Sequence, residues 1–241
     1  MNKYFKIAVI SAVVIALAFS IALAGQKISN PLQADSEQVL RKMTVVVDAG
    51  HGGIDPGAIS ADGTLEKDIN LALSECLSDM LKAFGFNVVM TRTEDGLICD
   101  QGLSTVREMK RSDINNRLDL SEKSRNSILI SIHQNKISQT KYNGTQVFYS
   151  VNNPLSKQLA QNIQSDVSRL LQPQNNRQIK SVGSEIYLLY HSTKPAVMVE
   201  CGFISNPDEL KNLLSEKYQS KLSFSILNSI LNFGYEHSQD I

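Results

Sequence analysis

Tryptophan is absent from this 241-residue chain, and aromatic residues make up only 6% of it. That leaves little material for an aromatic platform on which single-stranded nucleic acid could stack. Charge of one sign is also lacking. Lys plus Arg and Asp plus Glu number 24 each, so no global basic field exists to hold a nucleic acid. Cysteine is scarce: Cys76, Cys99 and Cys201 are an odd set with no C-x-x-C pair. This excludes a disulfide framework and a four-cysteine zinc site, while one disulfide stays open. Two of the three lie in apolar stretches, where free thiols act as small core residues. There is no H-E-x-x-H string, which removes the metalloprotease helix of that type. Internal repeats and low-complexity tracts are missing too. What remains, with 42% hydrophobic and 20% charged residues, is a globular chain of one main domain.

The one long uncharged apolar run is at the start. Lys3 and Lys6 precede Ile7 to Ala24, and Ala22-Leu-Ala24 offers a small-residue cleavage site before Gly25. A basic start followed by an apolar run is the physical signature of export. Eighteen residues of helix span about 27 Å, close to a ~30 Å hydrocarbon core. Residues 1–24 therefore read as a signal peptide or a retained signal anchor, with membrane contact through residues 7–24 if uncleaved. Either way the rest of the chain is expected outside the cytoplasmic membrane. Residues 25–42 read as a linker, residues 43–236 as the catalytic domain and residues 237–241 as a tail.

Within the domain, short β-branched runs alternate with amphipathic stretches. Thr44–Asp48, Asn87–Thr91, Ile128–His133, Thr145–Ser150, Ile186–Leu189 and Ala196–Glu200 read as strands. Helices are expected from Glu66 to a stop at Gly85, around Val106–Lys110, and over Arg117–Arg125. Three more fall at Leu155–Leu171, Pro207–Leu214 and Lys221–Tyr235. Such alternation predicts an α/β fold: a single-domain three-layer sandwich around a mostly parallel twisted sheet. Sheets of this kind bind ligands at the carboxyl ends of their strands.

Three of the most apolar strands end in groups that bind metal or move protons. The first delivers Asp48 and then His51, another ends at His133, and a later one ends at Glu200. Parallel strands would bring these groups to one rim, and Glu66, at a helix start, can turn back toward it. Two imidazoles and one carboxylate with an open fourth position form a catalytic zinc set, and a further carboxylate serves as general base. Blander roles stay open: a hydrogen-bonded histidine at a strand end, Glu66 complementing the helix dipole, and Asp48 as turn chemistry or support for a metal ligand. Glu200 is the hardest to explain that way, because a carboxylate after Val197-Met-Val must be paired or hydrogen-bonded. Arg92 and Arg117 are the candidate ion-pair partners.

Taken in order, the motifs resemble a known family. Val46-Val-Asp-Ala-Gly-His-Gly-Gly-Ile-Asp-Pro-Gly-Ala58, Glu66, Thr91-Arg92, Arg117, Ser131-Ile-His-Gln-Asn135 and Val199-Glu-Cys-Gly-Phe-Ile-Ser-Asn206 are similar to the signature of zinc-dependent N-acetylmuramoyl-L-alanine amidases. The resemblance covers about residues 44–236. It implies Zn2+ bound by His51, Glu66 and His133, with Glu200 catalytic. The substrate it implies is peptidoglycan, cut at the amide between the lactyl group of muramic acid and L-alanine. Gln134 departs from the pattern, where a small residue is more usual, and so does Cys201 after the glutamate. The stretch Asp95-Gly-Leu-Ile-Cys-Asp100 with Val106–Asp113 looks most like the spore-cortex branch, whose members help make muramic-δ-lactam. That likeness implies a place in the spore envelope and a role in cortex maturation and germination.

Rival readings follow from the same residues. Cys201 with His133 or His191 would make a thiol hydrolase. A zinc exopeptidase would cut a different amide, and a wall-binding protein would carry the site without turnover. No separate wall-binding module is evident, so something else is expected to localise or activate the enzyme: the membrane segment is one candidate, and an exported accessory protein or lipoprotein activator is another.

Overall fold

The computed structural model describes residues 43–237. The expected signal segment, the linker up to Lys42 and the last four tail residues lie outside the described residues. Six strands form one sheet: β1 (Thr44–Ala49), β2 (Asn87–Met90), β3 (Ser127–Asn135), β4 (Gln146–Tyr149), β5 (Lys180–Ser181) and β6 (Ala196–Phe203). Their spatial order is β2-β1-β3-β6-β4-β5. Strands β2, β1, β3 and β6 run parallel, while β4 is antiparallel to β6 and β5 is parallel to β4. Val45–Val47, Ile128–Ile130 and Val197–Val199 are buried on both faces, as continuous apolar runs in parallel strands must be.

The helices are α1 (Glu66–Ala83), α2 (Val106–Lys123), α3 (Leu155–Leu170), α4 (Tyr187–His191), α5 (Pro207–Leu213) and α6 (Glu216–His237). On one face Ile69, Leu73 and Leu77 of α1, Leu159 and Ile163 of α3, and Ile226 and Ile230 of α6 pack on Val45, Ile130 and Val199. On the other face Ile114 and Leu118 of α2 and Leu188 and Leu189 of α4 meet Val46, Leu129 and Met198. This is the expected three-layer sandwich.

Two local expectations are corrected. Residues 106–123 form one continuous helix, not two pieces. Its apolar stripe is thin, and it is held by a Thr105/Glu108 capping box and a buried Arg117–Asp113 pair one turn apart. Residues 186–189 do not form a strand: Tyr187–His191 is a short helix, and the sixth strand is the two-residue β5 before it. Four apolar residues in a row carry no period, and here Leu188 and Leu189 fill the second core from a helical turn. Among the described residues no helix is long and apolar enough to cross a membrane.

Candidate metal centre

The three parallel strands β1, β3 and β6 bring their carboxyl ends together, as the sequence pattern predicts. His133 and Glu200 are direct partners across β3 and β6, and the register shifts immediately beyond them, between His133 and Asn135. Such an irregularity bends the strand ends outward where side chains must be re-aimed. His51 lies two residues past β1 at φ 62°, a left-handed conformation rare for a residue with a side chain. Strain of this kind is kept only where the surroundings over-determine it. Arg117 and Arg92 do so. Arg117 donates to the carbonyls of Ala49 (2.7 Å) and His51 (2.8 Å). Arg92 binds those of Ala49, Gly50, Glu94 and Lys67.

Glu66 is the first residue of α1 and only 4% exposed. Its Oε1 lies 3.0 Å from His133 Nδ1 and 3.4 Å from His51 Nε2. The same atom accepts from the backbone N–H of Gln134 (3.0 Å) and from Asn70 Nδ2 (3.3 Å), while Oε2 accepts from Ala58 N–H (2.7 Å). One ligand atom each from His51, Glu66 and His133 lies within 4.8 Å of the others. In a tetrahedral zinc site with ligand bonds near 2.0–2.2 Å, neighbouring ligand atoms stand roughly 3.3 Å apart. The donor set and its spacing therefore fit a single metal ion. Asp55 Oδ2 accepts from His51 Nδ1–H at 2.8 Å, which leaves Nε2 turned toward Glu66. A carboxylate behind a histidine fixes ring orientation and tautomer at metal sites.

Two glycines make room for this cluster. A Cβ on Gly57 would stand 2.6 Å from Glu66 Oε2, and Gly57 also has φ +67°. A Cβ on Gly50 would run into the His133 ring.

The electrostatics follow from burial and partners. Burial alone would lower His51, but its hydrogen bonds to Asp55 and Glu66 push it up to about 9. Burial would raise Glu66, yet His133 and His51 hold it far below the ordinary carboxylate range. Asp48 is likewise buried, and Arg117, His133 and Ser131 keep it ionised. Its Oδ1 takes Arg117 at 2.6 Å, and its Oδ2 takes Ser131 Oγ at 2.6 Å. Asp48 therefore braces the loop and does not reach the His–Glu–His cluster found here.

Glu200 differs from all of these. Its Oε2 is buried with no hydrogen-bond partner among the described residues. Burial, with the nearby Glu66 charge, pushes it up to about 7. The ion pair with Arg92 or Arg117 that its burial suggested does not form, because Arg117 is spent on Asp48 and Asp113 and Arg92 on carbonyls. A half-buried carboxyl whose Oε2 is buried and unsatisfied, one strand from a metal-type cluster, is unexplained as structure and suits a proton carrier. Beside the cluster a cavity of about 330 Å³ opens, lined by His51, Asp55, Lys110, His133, Ile186 and Tyr187 among others.

Cys201 is excluded as a nucleophile: it is fully buried, and burial pushes its thiol well up, away from the reactive thiolate. Asn206 is a helix cap, its side chain accepting from Asp208 and Glu209 N–H. His191 packs against Tyr187 and Tyr190. Sequence reasoning gave no role to Asp55, Asn70 or Lys110, which hold the ligands from behind. The only advance signal was Asp55 inside the first glycine-rich motif.

These features define an α/β domain with a His–Glu–His metal-type site at its strand ends. Comparison with known proteins gives the family: a profile for N-acetylmuramoyl-L-alanine amidases matches residues 45–232, and the chain belongs to that family. It is 35% identical over 192 residues to the germination-specific N-acetylmuramoyl-L-alanine amidase of Bacillus subtilis (strain 168), covering 80% of each chain. The CwlD amidase from Clostridioides difficile, solved in complex with the GerS lipoprotein, superposes with a TM-score of 0.76 at 38% identity. That match covers 79% of this chain and 97% of the other. A further N-acetylmuramoyl-L-alanine amidase from Clostridium difficile 630 matches with a TM-score of 0.70 at 30% identity, over 80% and 97% of the two chains. The protein is an N-acetylmuramoyl-L-alanine amidase.

Proposed function

We propose that the domain of residues 43–236 cleaves the amide between the lactyl group of N-acetylmuramic acid and L-alanine in peptidoglycan as a zinc enzyme, with His51, Glu66 and His133 as ligands and Glu200 as general base. The carrying observation is the His–Glu–His cluster with the unpartnered Glu200 carboxyl on the adjacent strand. When bound, zinc supplies Lewis acidity toward the scissile carbonyl and the attacking water. Glu200 takes the proton from that water and returns it to the departing alanine amine, a two-way transfer for which a pKa of about 7 is well placed. Asp55 keeps His51 turned to the site, and Arg117 with Asp48 keeps the loop that carries it in its strained form.

The biological setting we infer is spore-cortex maturation, supported by likeness to the germination-specific amidase and to CwlD. The enzyme then acts outside the cytoplasmic membrane, carried there by residues 1–24 and either released or retained. An exported lipoprotein is a fitting partner, since the CwlD structure contains one.

Substitution separates the roles. Glu200→Ala is expected to bind one zinc per chain and lose turnover by about 10²–10⁴-fold, the usual worth of a positioned base. His133→Ala is expected to lose both. Metal content by atomic absorption, beside turnover, checks this. Zinc lost along with activity in Glu200→Ala would make Glu200 a ligand and contradict the assignment.

A further inference from the structure

A row of side chains crosses three strands on one face of the sheet. His133 of β3 pairs with Glu200 of β6, and Glu200 pairs with Gln146 of β4. Direct partners in a sheet share a face, so Gln146 continues the line that begins at the metal-type cluster and passes the base. At the end of the row stands Arg177. Its Nη1 donates to Gln146 Oε1 at 3.3 Å, and its Nε to the Asn143 carbonyl at 2.7 Å. The guanidinium lies 4.5 Å over the Phe203 ring and 6.0 Å from Tyr142.

Arg177 is thus fixed by two neutral acceptors and an aromatic face. Among the described residues it makes no ion pair, and its Nη2 makes no hydrogen bond. Lys110 is paired with Asp55, Lys67 with Asp95, and Arg117 with Asp48 and Asp113, whereas Lys136 donates only to the Ile59 carbonyl and Lys141 lies over the Tyr142 ring. One acid in that corner, Glu209, accepts from the N–H groups of Phe203 and Gly144 and feels the Arg177 charge, but makes no ion pair with it. A stacked, pre-oriented guanidinium with a free edge is suited to a carboxylate.

The chemistry sets which part of the substrate arrives there. Glu200 must return its proton to the leaving amine, so that amine lies on the Glu200 side of the cluster. A peptide that continued past Glu200 on this face would next meet β4 and Arg177, with the glycan on the side of the metal ligands. In peptidoglycan the permanent charge nearest the scissile amide is the free α-carboxylate of the second stem residue, one residue along. Two residues of extended chain reach about 7 Å, and adjacent strands are about 4.8 Å apart.

We infer that Arg177 is a specificity-determining residue that reads this carboxylate, so that the enzyme prefers stems whose second residue carries a free acid over those in which it is amidated. The inference rests on the amide-cleaving role of Glu200 given above. Arg177 was not singled out by any sequence motif, because it sits in the loop before β5, away from the ligand-bearing strands.

The test uses the full chain and two matched probes, L-Ala-γ-D-Glu-L-Lys with the α-carboxylate free or amidated. The same pair is also presented on glycan strands. Calorimetric titration of the free peptides is expected to favour the carboxylate form by about tenfold, the worth of one charge-assisted bond pair. Turnover on the strands is expected to show the same ratio in KM. Arg177→Gln is expected to bring both ratios to near one, and Arg177→Lys to keep part of them. If the wild type cleaves both strands without discriminating, or if Arg177→Gln weakens both probes equally, the inference is overturned. If zinc-loaded wild type cleaves neither strand, the role given to Glu200 fails first.

Discussion

At the scale of single residues, Glu200 carries the sharpest expectations. Its carboxyl is raised from 4.5 to about 7 by burial without a partner. A folded-state pKa above the unfolded one means that the native protein holds a proton which the unfolded chain has released. Stability is then complete below about pH 4.5, declines as pH rises, and reaches its full loss above about pH 7. Glu200→Gln removes the titration and keeps the shape. The metal-free variant is therefore expected to match wild type in melting temperature at pH 4 and exceed it at pH 8, by calorimetric scans at both. Equal differences at the two pH values would show that Glu200 is not buried as an acid. Asp55 is a second case. Because it fixes His51 from behind, Asp55→Asn is expected to weaken zinc binding by about 10–100-fold. Competition with a chromophoric chelator measures this, and an unchanged affinity would reduce Asp55 to a loop contact. Both residues stand in strings visible in the sequence, yet only Glu200 was interpretable there. The value of Asp55 depends on a hydrogen bond to a ring four residues earlier, which no pattern states.

At the scale of elements, α2 decides whether the metal loop keeps its form. Arg117, 2% exposed, joins α2 to β1 through Asp48 and to its own helix through Asp113. Arg117→Met leaves two buried carboxylates without a counter-charge, and breaking such a network costs about 3–5 kcal/mol. Urea unfolding at pH 7 is expected to show a loss of that size. A loss under 1 kcal/mol would mean that the acids had found water or other partners. This helix also shows where sequence reading falls short. Its continuity from Val106 to Lys123 rests on a capping box and buried ion pairs, not on an apolar stripe, so periodicity divided it. Helix α4 failed for the opposite reason: Ile186–Leu189 is too uniformly apolar for either period to speak. Strands β1, β3 and β6 were legible because full burial demands continuous β-branched and aliphatic runs.

At the scale of the whole molecule, the topology that the sequence implied is what makes the site. Parallel β1, β3 and β6 put His51, His133 and Glu200 on one rim, and the start of α1 turns Glu66 into it. The three-layer sandwich and the meeting of His51, His133 and Glu200 on one rim could thus be anticipated from strand endings, while Glu66 was reached from a helix start. The antiparallel β4 could not, since a four-residue strand carries no mark of its direction. Nor could the extension of the site toward Arg177, which exists only because β4 lies beside β6. The central claim is that this rim performs zinc-dependent hydrolysis of the muramoyl–alanine amide. The most direct measurement incubates the full chain with purified peptidoglycan, with zinc and with chelator, and identifies the products by mass spectrometry. The account predicts stem peptides with a free L-alanine amine in the zinc sample and none with chelator. Equal release with chelator, or cleavage at any other amide, would contradict it.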